Sequence, residues 1–435
     1  MNSALIKRFC DFTDASPTAY HAVDNIAAAL EARGALRLEE RKAWQLEPGR
    51  AYYVVRSGSA LIAFRPGLRP PAEEGFVLEG AHTDSPSLKA RLEKGLSGKG
   101  MDRAPVEIYG GPIVSTWLDR PLSLAGRISV KGQNGKVESR LVNFARPVGL
   151  VPNLAVHLNR EINKGFEYNA QNHLPVLLSS AGKEAEKVEG EAAALARLVA
   201  AELGVGPEAI LGADLYFVDA QKLAVLGPAG ELLNGYRLDD LLGCHAILEA
   251  FLGAEPAPHG QVACFLDNEE VGSRSIQGAD SSFLRDVLGR ISALQGCSTE
   301  GFYRALSSSF SISVDVAQAF HGSYAEKYDE RFAPLVNGGP AVKVNANLRY
   351  ATDSEAEARF RLFCEQAGVP CQKFMSRADM APGSTIGPLS SSLTGIKTVD
   401  VGAPLLSMHS IRETGGALDH EMMTAALGVA FATRP

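Results

Sequence analysis

Apolar residues recur at helical spacing near the start of the chain. Tyr20, Val23, Ile26 and Leu30 share one face, Ser16 before Pro17 predicts an N-cap with proline in the first turn, and Gly34 predicts the end. Short apolar runs at 52–55, 60–64 and 76–78 predict strands, and the last leads directly into Gly80-Ala81-His82. Residues 92–234 have a different texture. The runs at 122–130 and 137–144 predict twisted strands joined through an Asn134-Gly135 hairpin signal, one helix is expected near 191–203, and the polar stretch 181–194 predicts a loop. After Arg237 the pattern alternates. Helices are expected at 238–251, 281–294, 355–367 and 418–431, and strands at 262–266, 310–314, 341–344 and 397–401, with a further strand and helix between 367 and 397. This alternation predicts a sheet layered with helices, an α/β domain built from both ends of the chain around a β-rich insertion.

Length agrees with more than one core, since 435 residues exceed the usual size of a single one. Forty-three Lys and Arg against 50 Asp and Glu leave a formal net charge of -7, which disfavours nucleic acid as the main partner. No window approaches the ~20 apolar residues of a membrane helix, and the first residues lack the basic and apolar segments of an export signal. Six scattered cysteines without a Cys-x-x-Cys pair suit reduced thiols. The expectation is a protein of the cytoplasm that acts on neither membrane nor nucleic acid.

Among nine histidines, two stand at predicted strand ends or in the loops after them. His82 follows the run at 76–78, and His409 lies in the loop after the run at 397–401. Acidic residues share that position: Asp267-Asn268-Glu269-Glu270 after 262–266, Asp315 after 310–314, and Asp239 at the opening of a helix. Ligands collect at the carboxyl ends of strands in open α/β sheets. Any one of these residues is more often a loop side chain or an N-cap than a ligand. Together they form a nitrogen and oxygen set suited to Zn, Mn or Co, without the thiolates of a structural zinc site. Five ligands with one bridging carboxylate would give each of two divalent ions three protein bonds. One glutamate of the Glu269-Glu270 pair would then be a ligand and the other a general base.

At this point the sequence resembles a known family. Gly80-Ala81-His82-Thr83-Asp84-Ser85-Pro86, Arg237-Leu238-Asp239, Asp267-Asn268-Glu269-Glu270-Val271-Gly272-Ser273, Ser313-Val314-Asp315, Gly383-Ser384-Thr385-Ile386-Gly387-Pro388 and Met408-His409-Ser410-Ile411-Arg412-Glu413 resemble, in order and spacing, the M18 or aspartyl aminopeptidases. The resemblance implies a three-layer αβα dimetal exopeptidase domain of residues 1–91 and 235–435, with an inserted β-rich dimerisation domain at 92–234. It implies two divalent ions, Zn with Co or Mn as alternatives. His82 and Asp315 would bind one and Glu270 and His409 the other, with Asp239 bridging, Glu269 as base and Asp84 orienting His82. Lys343 would pair with an acidic substrate side chain. His157 would reach a neighbouring subunit's site in a dodecamer built from dimers.

Two positions depart from the family pattern. Gln318 stands three residues after Asp315 where a histidine is usual, and Asp240 stands after Asp239 where asparagine is common. Without the resemblance, Lys343 reads as a solvent-facing strand lysine and His157 as a core residue; His21, His173, His245, His259, His321 and His420 are assigned no role.

The expected activity is removal of an N-terminal residue, Asp or Glu, from peptides with a free amino terminus. The neighbouring alternatives are a dimetal carboxypeptidase or amide deacylase, and a non-catalytic scaffold of the same fold. A serine hydrolase is rejected because Thr385 occupies the centre of the Gly383-Ser384-Thr385-Ile386-Gly387 turn, where a nucleophile elbow needs serine.

Overall fold

The structure, a computed structural model, describes residues 3–92, 95–132, 135–180 and 193–435. Asn134 and most of the polar stretch 181–194 lie outside them. Two compact units are formed. The first comprises Met1–Asp84, Leu223–Met408 and Glu413–Pro435, the second Ser85–Lys222 and His409–Arg412.

A nine-stranded sheet organises the first unit, in the order Leu36–Leu38, Tyr52–Arg56, Ala60–Arg65, Gly260–Leu266, Phe76–His82, Phe310–Val314, Lys397–Gly402, Ala341–Lys343, Gln372–Phe374. The central four are mutually parallel. Alternation within the strands separates two cores. Tyr53, Leu61, Ala63, Val77, Ala263 and Phe265 pack with helices Ala19–Ala32, Leu238–Gly253, Ser354–Ala367 and Ala417–Ala432. Tyr52, Ile62, Phe64, Phe76, Leu78 and Val262 pack with Phe283–Leu294 and Thr299–Ser307. Helices on both faces explain why Gly260–Leu266 and Phe76–His82 are buried along their whole length. The chain is therefore a layered α/β protein.

Three details differ from the sequence pattern. The first predicted helix starts at Ala19 with Thr18 in the N-cap position, so Ser16 and Pro17 belong to the link before it. A helix at Ser3–Ala15 precedes it and another at Thr299–Ser307 was not anticipated. Residues 223–234, grouped by their texture with the insertion, pair elsewhere: Leu232–Gly235 runs antiparallel to Glu413–Gly416 in a small five-stranded sheet of the first unit.

The second unit carries an antiparallel five-stranded sheet, Val137–Asn143, Leu122–Lys131, Ile210–Asp219, Ser87–Ala90, Val106–Tyr109, and a three-stranded one. Its interior holds Leu122, Leu124, Ile128, Val130, Leu215 and Phe217. Gly126, at φ +150°, sits where a Cβ would lie 2.0 Å from the Asp214 carbonyl, so close pairing of the two long strands requires glycine there.

Candidate metal centre

Gly260–Leu266, Phe76–His82 and Phe310–Val314 are parallel neighbours, so their carboxyl ends share one side of the sheet. His82 ends one strand, Asp267 and the turn Glu269–Val271 follow another, and Asp315 follows the third. Asp239 enters from the first turn of Leu238–Gly253, after Arg237 at φ +65° and before a cis peptide to Asp240. The topology thus gathers residues separated by more than 200 positions in the chain.

His82 lies at the centre and is buried. Its Nδ1 is 3.1 Å from the Asp84 carbonyl, which only a donor can satisfy, so the ring proton is held there. Nε2 then faces Asp239 Oδ1 at 3.1 Å and Asp315 Oδ1 at 3.9 Å. A neutral ring in this tautomer presents an acceptor to two further acceptors. A cation resolves that arrangement, either a second ring proton or a metal ion. Burial opposes the imidazolium, but hydrogen bonds with Asp239 and Asp84 outweigh it and raise the His82 pKa well above its ordinary value.

The glutamates are placed by Asp84, whose two carboxylate oxygens accept the Glu269 and Glu270 N–H groups, each at 3.1 Å. One carboxylate therefore fixes the turn while its own backbone carbonyl fixes the histidine. His82, Glu269 and Glu270 bring a nitrogen and two carboxylate oxygens within 4.8 Å of one another, as do His82, Asp239 and Asp315. Burial raises the Glu269 pKa to about 8; His82 opposes the shift, and Asp315, Asp84 and Asp239 add to it. Asp315 is raised by burial, with Lys343 opposing and Asp239 adding. The donors are nitrogen and oxygen only. Burial raises the Cys244 pKa well above its ordinary value, and its Sγ–H donates to the His82 carbonyl at 3.0 Å, so no thiolate joins them. Such a set fits Zn, Mn or Co.

Three further residues support the centre. Glu413 Oε2 accepts the Asp239 N–H at 2.9 Å, Asp240 accepts N–H groups of His82 and Gly243, and the Arg237 guanidinium donates to the Thr83 carbonyl. Asp240 is thus a buried turn acceptor, not an extra charge open to substrate. Glu413 had no assigned role, although it closes the motif that contains His409.

His409 is half-buried and grouped with the second unit. Its Nδ1 bonds the Gly111 carbonyl at 3.0 Å, its own carbonyl accepts the Ile113 N–H, and the Ile411 N–H reaches Thr116 Oγ1 at 3.1 Å. Arg412 pairs with buried Asp219 at 2.9 Å, and Arg120 holds the same carboxylate. Lys343 is buried, not solvent-facing. Its ammonium donates to the Asp315 and Val316 carbonyls, both at 3.0 Å, and lies 3.2 Å from Asp315 Oδ2. His157 is exposed in an irregular segment, so it is not a core residue. Gln318 is exposed on the two-residue strand Ala317–Gln318.

Comparison with known proteins gives a consistent picture. The sequence profile described as Aminopeptidase I zinc metalloprotease (M18) matches residues 12–431. A curated relative, the probable M18 family aminopeptidase 2 of Pseudomonas aeruginosa strain UCBPP-PA14, is 45% identical over 437 residues, spanning 100% of this chain and 99% of the relative. Among solved structures, a chain in the cryo-EM structure of the Ape4 and Nbr1 complex superposes with TM-score 0.94 at 36% identity, covering 98% of this chain and 85% of that one. The S. cerevisiae mApe1 dodecamer gives 0.84 at 28% identity, covering 98% and 95%.

Proposed function

The chain belongs to the M18 family of metallo-aminopeptidases, which are peptide hydrolases, and from that premise we propose that it removes an N-terminal Asp or Glu from peptides with a free amino group. The observation that carries this reading is the buried convergence of His82 Nε2 with the Asp239 and Asp315 carboxylates beside the Glu269 turn. His82 and Asp315 would hold one divalent ion and Glu270 and His409 a second, with Asp239 serving both. Such ions, zinc in this reading, would supply Lewis acidity and lower the pKa of water toward neutral. Glu269 takes the proton of the attacking water and delivers it to the leaving amine. Asp84 keeps Glu269 and His82 in register. Lys343, a buried cation beside Asp315, draws the acidic side chain of the first residue.

The chain works as a homo-oligomer, a dodecamer built from dimers; the similar S. cerevisiae mApe1 is itself a dodecamer, which supports this reading. The inserted segment, residues 85–222 in the folded chain, supplies the dimer contact, and exposed His157 serves a neighbouring subunit's site. Exposed Leu154, Val156 and Leu158 around His157 support an interface role for that segment. Its compartment in this reading is the cytoplasm, in keeping with cysteines that are all unpaired. No helix among the described residues is long and apolar enough to cross a membrane.

The deciding experiment is a panel of free and acetylated dipeptide amides, varied at the first residue and assayed with defined metals. The expected result is turnover of free-amine substrates led by Asp and Glu. Hydrolysis of acetylated substrates alone would select an amide deacylase, and no turnover with any metal a scaffold.

A further inference from the structure

Asp400, on the strand Lys397–Gly402, has no exposed surface and no part in the chemistry above. Its Oδ1 accepts the Thr385 hydroxyl at 2.6 Å, and its Oδ2 accepts the Ala351 N–H. In return the Asp400 N–H donates to Thr352 Oγ1 at 2.9 Å. Ser384 Oγ donates to the Arg349 carbonyl at 3.2 Å, which ties the same segment to the neighbouring turn. Residues 349–352 are thereby fastened at three points, the Arg349 carbonyl, the Ala351 N–H and the Thr352 hydroxyl.

The turn Gly383-Ser384-Thr385-Ile386-Gly387-Pro388 is shaped for this carboxylate. A Cβ on Gly387 would lie 2.3 and 2.4 Å from the two Asp400 oxygens, so any side chain there displaces the acid. Thr385 also accepts the Gly387 N–H at 3.3 Å, capping the helix Ile386–Thr394. The motif that a nucleophile elbow could not explain is a seat for Asp400.

The clamped segment carries Tyr350, which is buried. Its ring centroid stands 5.1 Å from Lys343 Nζ, and its ring meets Phe374 edge-on at 6.3 Å. The charged or titratable groups acting on this pair are Asp315, Asp400 and Tyr350 itself. We propose that Asp400, seated by Thr385 and Gly387, is a positioning residue that holds Tyr350 against Lys343 and so sets the selectivity for acidic N-terminal side chains. This rests on the reading of Lys343 as the partner of the substrate carboxylate.

The test compares wild type, Asp400→Asn and Thr385→Val. kcat/KM is measured on dipeptide amides beginning with Asp and with Ala, together with inhibition by free L-aspartate and L-alanine, metal content and Tm. In Asp400→Asn the Asp-over-Ala ratio of kcat/KM should fall ~10-fold or more, mostly through KM, while metal content stays that of wild type. L-Aspartate should weaken as an inhibitor and L-alanine should not. Thr385→Val, which keeps the charge, should shift the ratio the same way by less, and it carries the test if Asp400→Asn does not fold. A wild type that prefers acidic residues, with both ratios unchanged while Tm falls, would make Asp400 a purely structural group. A wild type without acidic preference would instead overturn the Lys343 reading, and this inference with it.

Discussion

Gly260–Leu266 and Val137–Asn143 are both seven-residue strands, yet every residue of the first is buried and only Val142 of the second is. The first lies between two strands with helices on both faces. Among the described residues the second pairs on one side only, with Leu122–Lys131, and leaves Val137 and Leu141 exposed at 64% and 39%. A closed strand can deliver side chains from its end with little freedom, which suits a centre whose groups must hold position to a fraction of an ångström. An open edge with apolar side chains is a pairing hazard unless something covers it. Chemistry and assembly accordingly place opposite demands on strands of equal length.

The sharpest test of the closed region is removal of its groups one at a time. Asp239→Ala should bring activity to background and lower bound metal; two metals per chain with normal turnover would end the bridging assignment. Glu269→Gln should leave metal nearly intact while kcat falls ~10²-fold or more. If it lost metal as Glu270→Ala does, the two glutamates would have been interchanged.

Stability should separate the regions next. Phe265→Ala, in a strand with no exposed residue, should cost ~3–5 kcal/mol by denaturant unfolding. Leu141→Ala should cost less than ~0.5 kcal/mol in the folded chain yet weaken association measured by sedimentation. Equal costs would mean that the edge is not open.

The buried carboxyl groups of the two regions should also answer pH in opposite senses. In the closed one, burial raises Glu79 well above the ordinary carboxyl range and Asp419 to about 7, so the folded chain keeps protons that the unfolded chain has released. Their contribution is full below pH ~4 and is lost as pH rises toward the folded values. In the open one, burial of Asp214 is outweighed by Arg127 and Lys89, which lower its pKa, and its contribution is lost as pH falls. Between pH 5 and 8 wild type should therefore lose more stability, or gain less, than Glu79→Gln does, by a few degrees in Tm. A slope unchanged in Glu79→Gln would remove Glu79 from the account.

The smallest signal belongs to His157. Oligomers that combine His157→Ala with Glu269→Gln chains should exceed both parents in activity if His157 serves a neighbouring site. Tagged hybrids no better than their parents would confine it to its own chain.

The closed strands were legible because continuous burial writes a continuous apolar run, as in Val262, Ala263, Cys264, Phe265 and Leu266. The helix Thr299–Ser307 buries only Gly301, Ala305 and Leu306, which leaves no apolar stripe to detect; its sequence signal is Ser298, which caps the Gly301 N–H. Ser16 and Pro17 imitate a cap whose position is filled by Thr18, two residues later. At the centre, the converging His82, Asp239, Glu269, Glu270 and Asp315 could be named from their types and places in the chain. Glu413 and Asp400 could not, because they act by holding a backbone N–H whose position only the folded sheet defines.

The anchoring of residues 409–412 has a consequence for protein engineering. A trimmed enzyme lacking 85–222 would look attractive as a minimal monomeric catalyst. It would also lack the Gly111 carbonyl, the Thr116 hydroxyl and the Asp219 carboxylate that hold His409, Ile411 and Arg412. Any such truncation would have to graft those three acceptors back as a short scaffold before the excised piece could be treated as dispensable.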